Sequence, residues 1–146
     1  MSIEENKAVI RRFVQQYKNE HDPTVIDELF SQNFVTHFRL PNVTPDLRGF
    51  RSVGAAVIGA MPDITATLED LLAVDDKVIE RTTASGTHSQ QLLGIPATNR
   101  KVTFTEIHIY RFEAGKIVEH WPEVDFYALF AQLGAIPAMP GAVTEH

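Results

Sequence analysis

Asp125 closes the last predicted strand of this 146-residue chain, with Val124, Phe126 and Tyr127 as neighbours. Desolvation by apolar walls raises a carboxylate's pKa toward neutrality, which suits it to act as a general base or acid. The same residue precedes a predicted helix from Phe126 to Leu133, where its side chain would cap the first turn. The local sequence alone favours the cap, and the two roles can coexist. His108 sits mid-strand in the series Val102, Phe104, Glu106, His108, Tyr110 and Phe112. Period-two alternation puts all six on one face, mostly aromatic and apolar, with a polar pair in its middle. Such a face lines a pocket, with Phe104 as wall. A histidine satisfied within a core fits the same pattern. Glu106 either shares the pocket, where a second carboxyl would raise one pKa by repulsion, or lies in solvent. Tyr17 and Trp121 are large amphipathic groups able to stack on a flat ligand, or plain core. His88, in Ser-Gly-Thr-His-Ser, ends a strand at the predicted mouth, while Glu119 and His120 alternate, so at most one points inward.

The elements that would position these groups read in the order helices, then strands, then a helix. Ser2 and Glu5 have capping-box spacing, followed by Ile3, Ile10, Phe13, Val14 and Tyr17 as one helical stripe. Asp22-Pro23 opens a short second helix bearing Val25, Ile26, Leu29 and Phe30. A strand is expected from Phe34 to Arg39, then a helix capped by Asp46, carrying Phe50, Val53, Val57 and Met61. Strands follow at Thr65 to Val74, Lys77 to His88, Arg100 to Phe112 and Lys116 to Trp121. Asp75-Asp76 and Glu113-Ala114-Gly115 supply the tight turns, and Gly134 ends the last helix. The order is α+β, with helices packed on one face of a curved antiparallel sheet around one pocket. Residues 1–134 read as one domain, and 135–146, with Pro137, Pro140 and Gly141, as a loose tail.

Composition narrows the chemistry. With 44% hydrophobic and 22% charged residues the chain is of ordinary globular type. There is no cysteine, hence no disulfide and no thiol nucleophile. A net charge of −6 with scattered basic residues argues against nucleic acid, and no apolar run is long enough for a membrane. The N-terminus lacks the succession of a signal peptide, so the expected location is cytoplasmic. Histidines 21, 37, 88, 108, 120 and 146 show neither His-x-His nor His-Glu-x-x-His spacing, and no metal is expected. Nor is there a glycine-rich phosphate loop or a nucleophile elbow.

Met-Pro-Asp at 61–63, Gly-Thr-His at 86–88, Leu-Gly-Ile-Pro at 93–96, Gly-Lys-Ile-Val-Glu-His-Trp at 115–121 and Gln-Leu-Gly at 132–134 occur in this order. Together with Ser-Gln-Asn-Phe-Val-Thr-His-Phe at 31–38, they resemble the SnoaL-like polyketide cyclases of the nuclear-transport-factor-2-like fold. The resemblance implies a cone-shaped fold, often a homodimer through the sheet, and intramolecular aldol cyclisation without metal or organic cofactor. It implies Asp125, in Trp-x-x-x-Asp, as acid/base, His108 as its strand partner, and His37 as a substrate contact. One subgroup has a carboxylate directly after the tryptophan. Here that position is Pro122, so either Asp125 serves alone or the site has drifted. Residues 89–91, Ser-Gln-Gln, are bulkier than usual after Gly-Thr-His and would narrow the entrance. The expected ligand is a small apolar carbonyl compound. The alternative is a binding or dimerisation domain of the same fold without turnover.

Overall fold

A computed structural model of the chain describes residues 2–137. The tail at 138–146 lies outside the described residues. Helix α1 (Ile3–Phe13) begins at the expected capping box: Glu5 N donates to Ser2 Oγ and Ser2 N to Glu5 Oε1, each at 3.1 Å. Glu4 and Glu5 in the first turn and Arg11 and Arg12 in the last complement the helix dipole. Ile10, Phe13, Val14 and Tyr17 are buried as the stripe predicts, but Ile3, in the first turn, is 43% exposed.

The chain then winds on as a π-helical segment, Val14–Asn19, instead of ending. Asn19 fixes it to the sheet, donating from Nδ2 to Ala66 O at 3.0 Å and accepting from Ala66 N at 2.7 Å. Helix α2 (Thr24–Leu29) starts one residue later than expected, with Pro23 at the cap position and Asp22 Oδ1 accepting from Thr24 N and Oγ1. Strand β1 (Phe30–Thr36) follows directly, and α3 (Leu47–Ala60) is capped by Asp46 through Gly49 N at 3.0 Å.

Strands β2 (Thr65–Val74), β3 (Lys77–Thr87), β4 (Lys101–Glu113) and β5 (Lys116–Val124) form a meander, closed by α4 (Phe126–Gln132). The turn after β2 has Asp75 at φ 53°. The turn after β4 has Ala114 and Gly115 both at positive φ, the conformation a two-residue hairpin requires. The five-stranded sheet is open, in the order β1-β5-β4-β3-β2. It is mixed, which corrects the antiparallel expectation: β1 pairs parallel with β5. Alternation reports which face a residue occupies but not which strand lies beside it.

The core has two parts. Phe13, Phe30, Phe34 and Phe50 pack edge-to-face and tilted between α1, β1 and α3. Met61, Ile64, Leu92, Val102, Phe104, Leu129 and Leu133 fill the other end. Close packing of α3 on the preceding loop depends on Gly49, where a Cβ would lie 1.7 Å from the Thr44 carbonyl oxygen. Alanine gains up to about 1 kcal/mol of helix propensity, but it meets backbone, which cannot rotate away. Gly49→Ala should therefore lower stability by about 1–3 kcal/mol, read from the urea midpoint.

Candidate active site

A cavity of about 110 Å³ lies between the two core parts, under α3 and over the concave face of the sheet. Its walls are apolar: Phe13, Phe38, Phe50, Val57, Ile64, Phe104 and Leu129. Its polar lining comes from two elements, the π segment with Tyr17 and Lys18, and β4 with Glu106, His108 and Tyr110. The wider i→i+5 winding narrows the angle between successive side chains, so that neighbours 17 and 18 both reach inward. Gly54 on α3 gives Tyr17 its place: a Cβ there would be 1.9 Å from the hydroxyl.

The polar groups form one continuous chain. His108 Nε2 lies 2.6 Å from Glu106 Oε1, and His108 Nδ1 lies 2.8 Å from His120 Nε2. His120 Nδ1 is 2.9 Å from the Thr36 hydroxyl. On the other side, Lys18 Nζ is 3.5 Å from Glu106 Oε1 and 2.6 Å from Glu80 Oε2. Glu80 also accepts from the Tyr110 hydroxyl at 2.7 Å and from Thr82. Because a carboxylate only accepts, His108 Nε2 carries a proton. With His108 neutral, the hydrogen bonds run one way, from Thr36 through His120 and His108 to Glu106. A second proton on His108 reverses the two bonds beyond Nδ1.

Charge sets the character of the site. Burial pushes Glu106 up, but the Lys18 charge, then the His108 hydrogen bond and charge, more than offset it and hold the group at about 2. Glu80 is likewise pushed up by burial and brought below its ordinary value by Lys18 and His108. Burial pushes Lys18 down, and Glu106 and Glu80 together bring it above the ordinary lysine value. One cation thus serves two carboxylates. Burial and the Glu80 charge drive the Tyr110 hydroxyl far above its usual range, so it stays a donor.

Burial, then the charge on His108, holds His120 well below its ordinary 6.5. The unfolded chain therefore takes the proton first. Stability is full above about pH 6.5 and falls below it, by up to about 1.4 kcal/mol per pH unit for one such group. Denaturation curves between pH 7 and 5 should show this slope, and His120→Gln should weaken it.

The expected residues divide into two groups. His108, Glu106, Tyr17 and Phe104 line the cavity. His37 and Trp121 do not. They stack on each other at 5.2 Å on the far face of β5, where His37 Nε2 is 2.8 Å from Glu119. Side-chain alternation in β5 sends 120, 122 and 124 toward the cavity and 119 and 121 away. His88 is buried at the end of β3 and orders the 88–100 connection: its Nδ1 accepts from Thr98 N at 3.2 Å, with the Thr98 hydroxyl at 3.0 Å. It does not line the cavity.

Asp125 and His108 do not meet. The Asp125 carboxylate is exposed and accepts from Ala128 N at 3.0 Å as the cap of α4. Strand β5 runs on to Val124 because β1 pairing ends at His120, leaving Pro122 with one neighbouring strand. Pro122 is the direct partner of His108 across β4 and β5. A carboxylate at 122 would be the one placed to face His108. In this chain Glu106, two residues back on His108's own strand, fills that role.

Lys18 and Glu80 are not among the expected site residues, and of the alternating pair Glu119 and His120 it is His120 that points inward. Glu80 had a usable signal, since it interrupts the inward series Val78, Thr82 and Ala84. Among the described residues no group of three or more histidines and carboxylates is placed to hold a metal ion, and no helix is long and apolar enough to cross a membrane.

A curved open sheet wrapped by helices around one apolar cavity, with acid/base groups on its floor, defines a cone-shaped pocket protein. The sequence pattern of the SnoaL-like polyketide cyclases matches residues 8–133, and the chain belongs to that family. It is 30% identical over 132 residues to the aklanonic acid methyl ester cyclase DnrD of Streptomyces peucetius, covering 86% of this chain and 88% of that one. The fold superposes on AclR of Streptomyces galilaeus with a TM-score of 0.84 at 26% identity, over 93% of this chain and 100% of that one. TsrD of Streptomyces laurentii gives 0.82 at 30% identity, over 93% and 99%.

Proposed function

We propose that this member of the family catalyses a cofactor-free intramolecular aldol-type ring closure on a small apolar carbonyl compound. The observation that carries the reading is the Glu106–His108 pair, 2.6 Å apart, on the floor of an apolar cavity. Glu106 accepts its hydrogen bonds on Oε1, and among the described residues Oε2 has no partner. That oxygen is the basic atom, in place of the Asp125 carboxylate engaged in the α4 cap. The proton beside the carbonyl passes to Glu106, the carbanion attacks the second carbonyl carbon, and the new alkoxide takes the proton back. Protonating Glu106 leaves Lys18 paired with Glu80, the nearer of its two carboxylates. Protonating Glu80 instead would cost the closer pair.

The name of the relative supports the choice of assay: aklanonic acid methyl ester is the first substrate to try, alongside smaller β-keto esters bearing a pendant carbonyl. Ring closure without loss of water gives a product of unchanged mass and new retention. Its formation by the wild-type protein under chelation, with failure in Glu106→Gln, supports the reading. A second reading, ligand binding without turnover, draws on the firmly ionised Glu106, which at about 2 is a weak base at rest. Tight binding with unchanged substrate would favour it. We also propose a cytoplasmic homodimer through the outer sheet face. Ile107 there is 46% exposed and Leu72 60% exposed, apolar side chains that a second copy of the sheet would cover.

A further inference from the structure

Enolisation needs two groups at once, a base for the proton on carbon and a donor for the oxygen that becomes negative. The two reacting positions belong to one carbonyl fragment, so the groups serving them must stand within a few ångströms of each other. Lys18 meets that requirement beside Glu106. Its ammonium is 3.5 Å from Glu106 Oε1, and both residues line the same cavity. An ammonium has three N–H donors. Glu80 takes one at 2.6 Å and Glu106 a second, longer one, so a third is free of protein partners among the described residues.

We propose that Lys18 is a catalytic residue, the donor that binds the enolate oxygen during the proton transfer to Glu106; the proposal rests on the reading of Glu106 as base. The C–H bond breaks, its proton goes to Glu106, and its electron pair moves onto the carbonyl oxygen facing Lys18. No oxidant, reductant or second substrate is required. The charge count explains why the arrangement discriminates in time. At rest Glu80 and Glu106 both hold the Lys18 ammonium, so an anion entering the cavity meets two carboxylates beside the one lysine. Once Glu106 holds the proton the floor is one unit more positive, whatever charge His108 carries, and the weakened Lys18–Glu106 contact frees the ammonium for the new oxyanion. The site favours negative charge only after the proton has moved, which is the differential binding that catalysis needs.

Glu106→Gln imitates the protonated state and supplies the test. The probe is 4-nitrophenol, a planar enol-like acid whose phenolate is followed by absorbance at fixed pH. The variant should bind the phenolate at least tenfold more tightly than the wild type does. It should also hold a larger share of the bound probe in the ionised form. The Lys18→Met/Glu80→Gln/Glu106→Gln variant has no unpaired buried charge, so its folding does not depend on the network. There the preference for the phenolate should vanish. Equal phenolate binding by wild type and Glu106→Gln, or a preference that survives in the triple variant, overturns the role of Lys18. Failure of the base assignment is a separate outcome, since it appears as retained turnover in Glu106→Gln whatever that variant's phenolate affinity.

Discussion

Glu106→Gln should fold, bind ligand and lose at least about a hundredfold in turnover, the low end of what a positioned general base contributes. Glutamine keeps the side chain's shape and can still accept from His108 Nε2 through its amide oxygen. What it cannot do is take a proton. Asp125→Asn is the matched control. Asparagine caps a helix nearly as well as aspartate, so α4 stays in place and turnover should hold within about threefold. The contrast separates two carboxylates close in sequence that the family pattern and the geometry rank in opposite order. His108→Ala should fall between them and displace the pH optimum, because it removes the hydrogen bond to Glu106 and leaves the Lys18 charge in place.

Lys18→Met should have the largest effect on stability. The substitution leaves the Glu80 carboxylate, fully buried, and the Glu106 carboxylate, 15% exposed, without their shared cation. Breaking a buried pair from one side costs about 3–5 kcal/mol. Removing all three charges with Glu80→Gln and Glu106→Gln should recover most of that loss, since a neutral network of similar volume carries no desolvation debt. The pH dependence has a definite sign. In the wild type both carboxylates are held below 4.5, so their contribution is full above about 4.5 and is lost as the pH falls toward about 2. Lys18 lies above 10.5, so its contribution is full below that value and lost as the pH rises through it. Without the cation, desolvation is no longer offset and the carboxylates take protons more readily in the fold. The deficit of Lys18→Met should therefore shrink on acidification from pH 7 to 5, measured by urea denaturation at each pH.

Much of this molecule is readable along the chain because local rules govern it. The Ser2–Glu5 cap, the Asp75 and Ala114-Gly115 turns, and the inward face of β4 all follow from neighbours within a few residues. So does the Asp46 cap of α3. The misses are nonlocal or turn on parity. Apolar spacing continues smoothly through Tyr17, and six residues of π winding leave no separate period to detect. The parallel pairing of β1 with β5 depends on which edge is free. Asp125 falls in the cap, as its local sequence indicates, and not in the pocket, as the family pattern implies, because β5 runs through Pro122 to Val124 and ends with Asp125 at the start of α4. Lys18 and Glu80 are charged types that ordinarily face water, and only their mutual pairing across the fold makes their burial tolerable.

Deuterium incorporation tests the central claim most directly. A β-keto ester lacking the second carbonyl cannot cyclise, so only proton removal and return are observed, by NMR in deuterium oxide under chelation. Wild type and Asp125→Asn should both accelerate exchange at the carbon beside the carbonyl above the buffer rate, and Glu106→Gln should not. Exchange that persists in Glu106→Gln and disappears in Asp125→Asn would contradict the account.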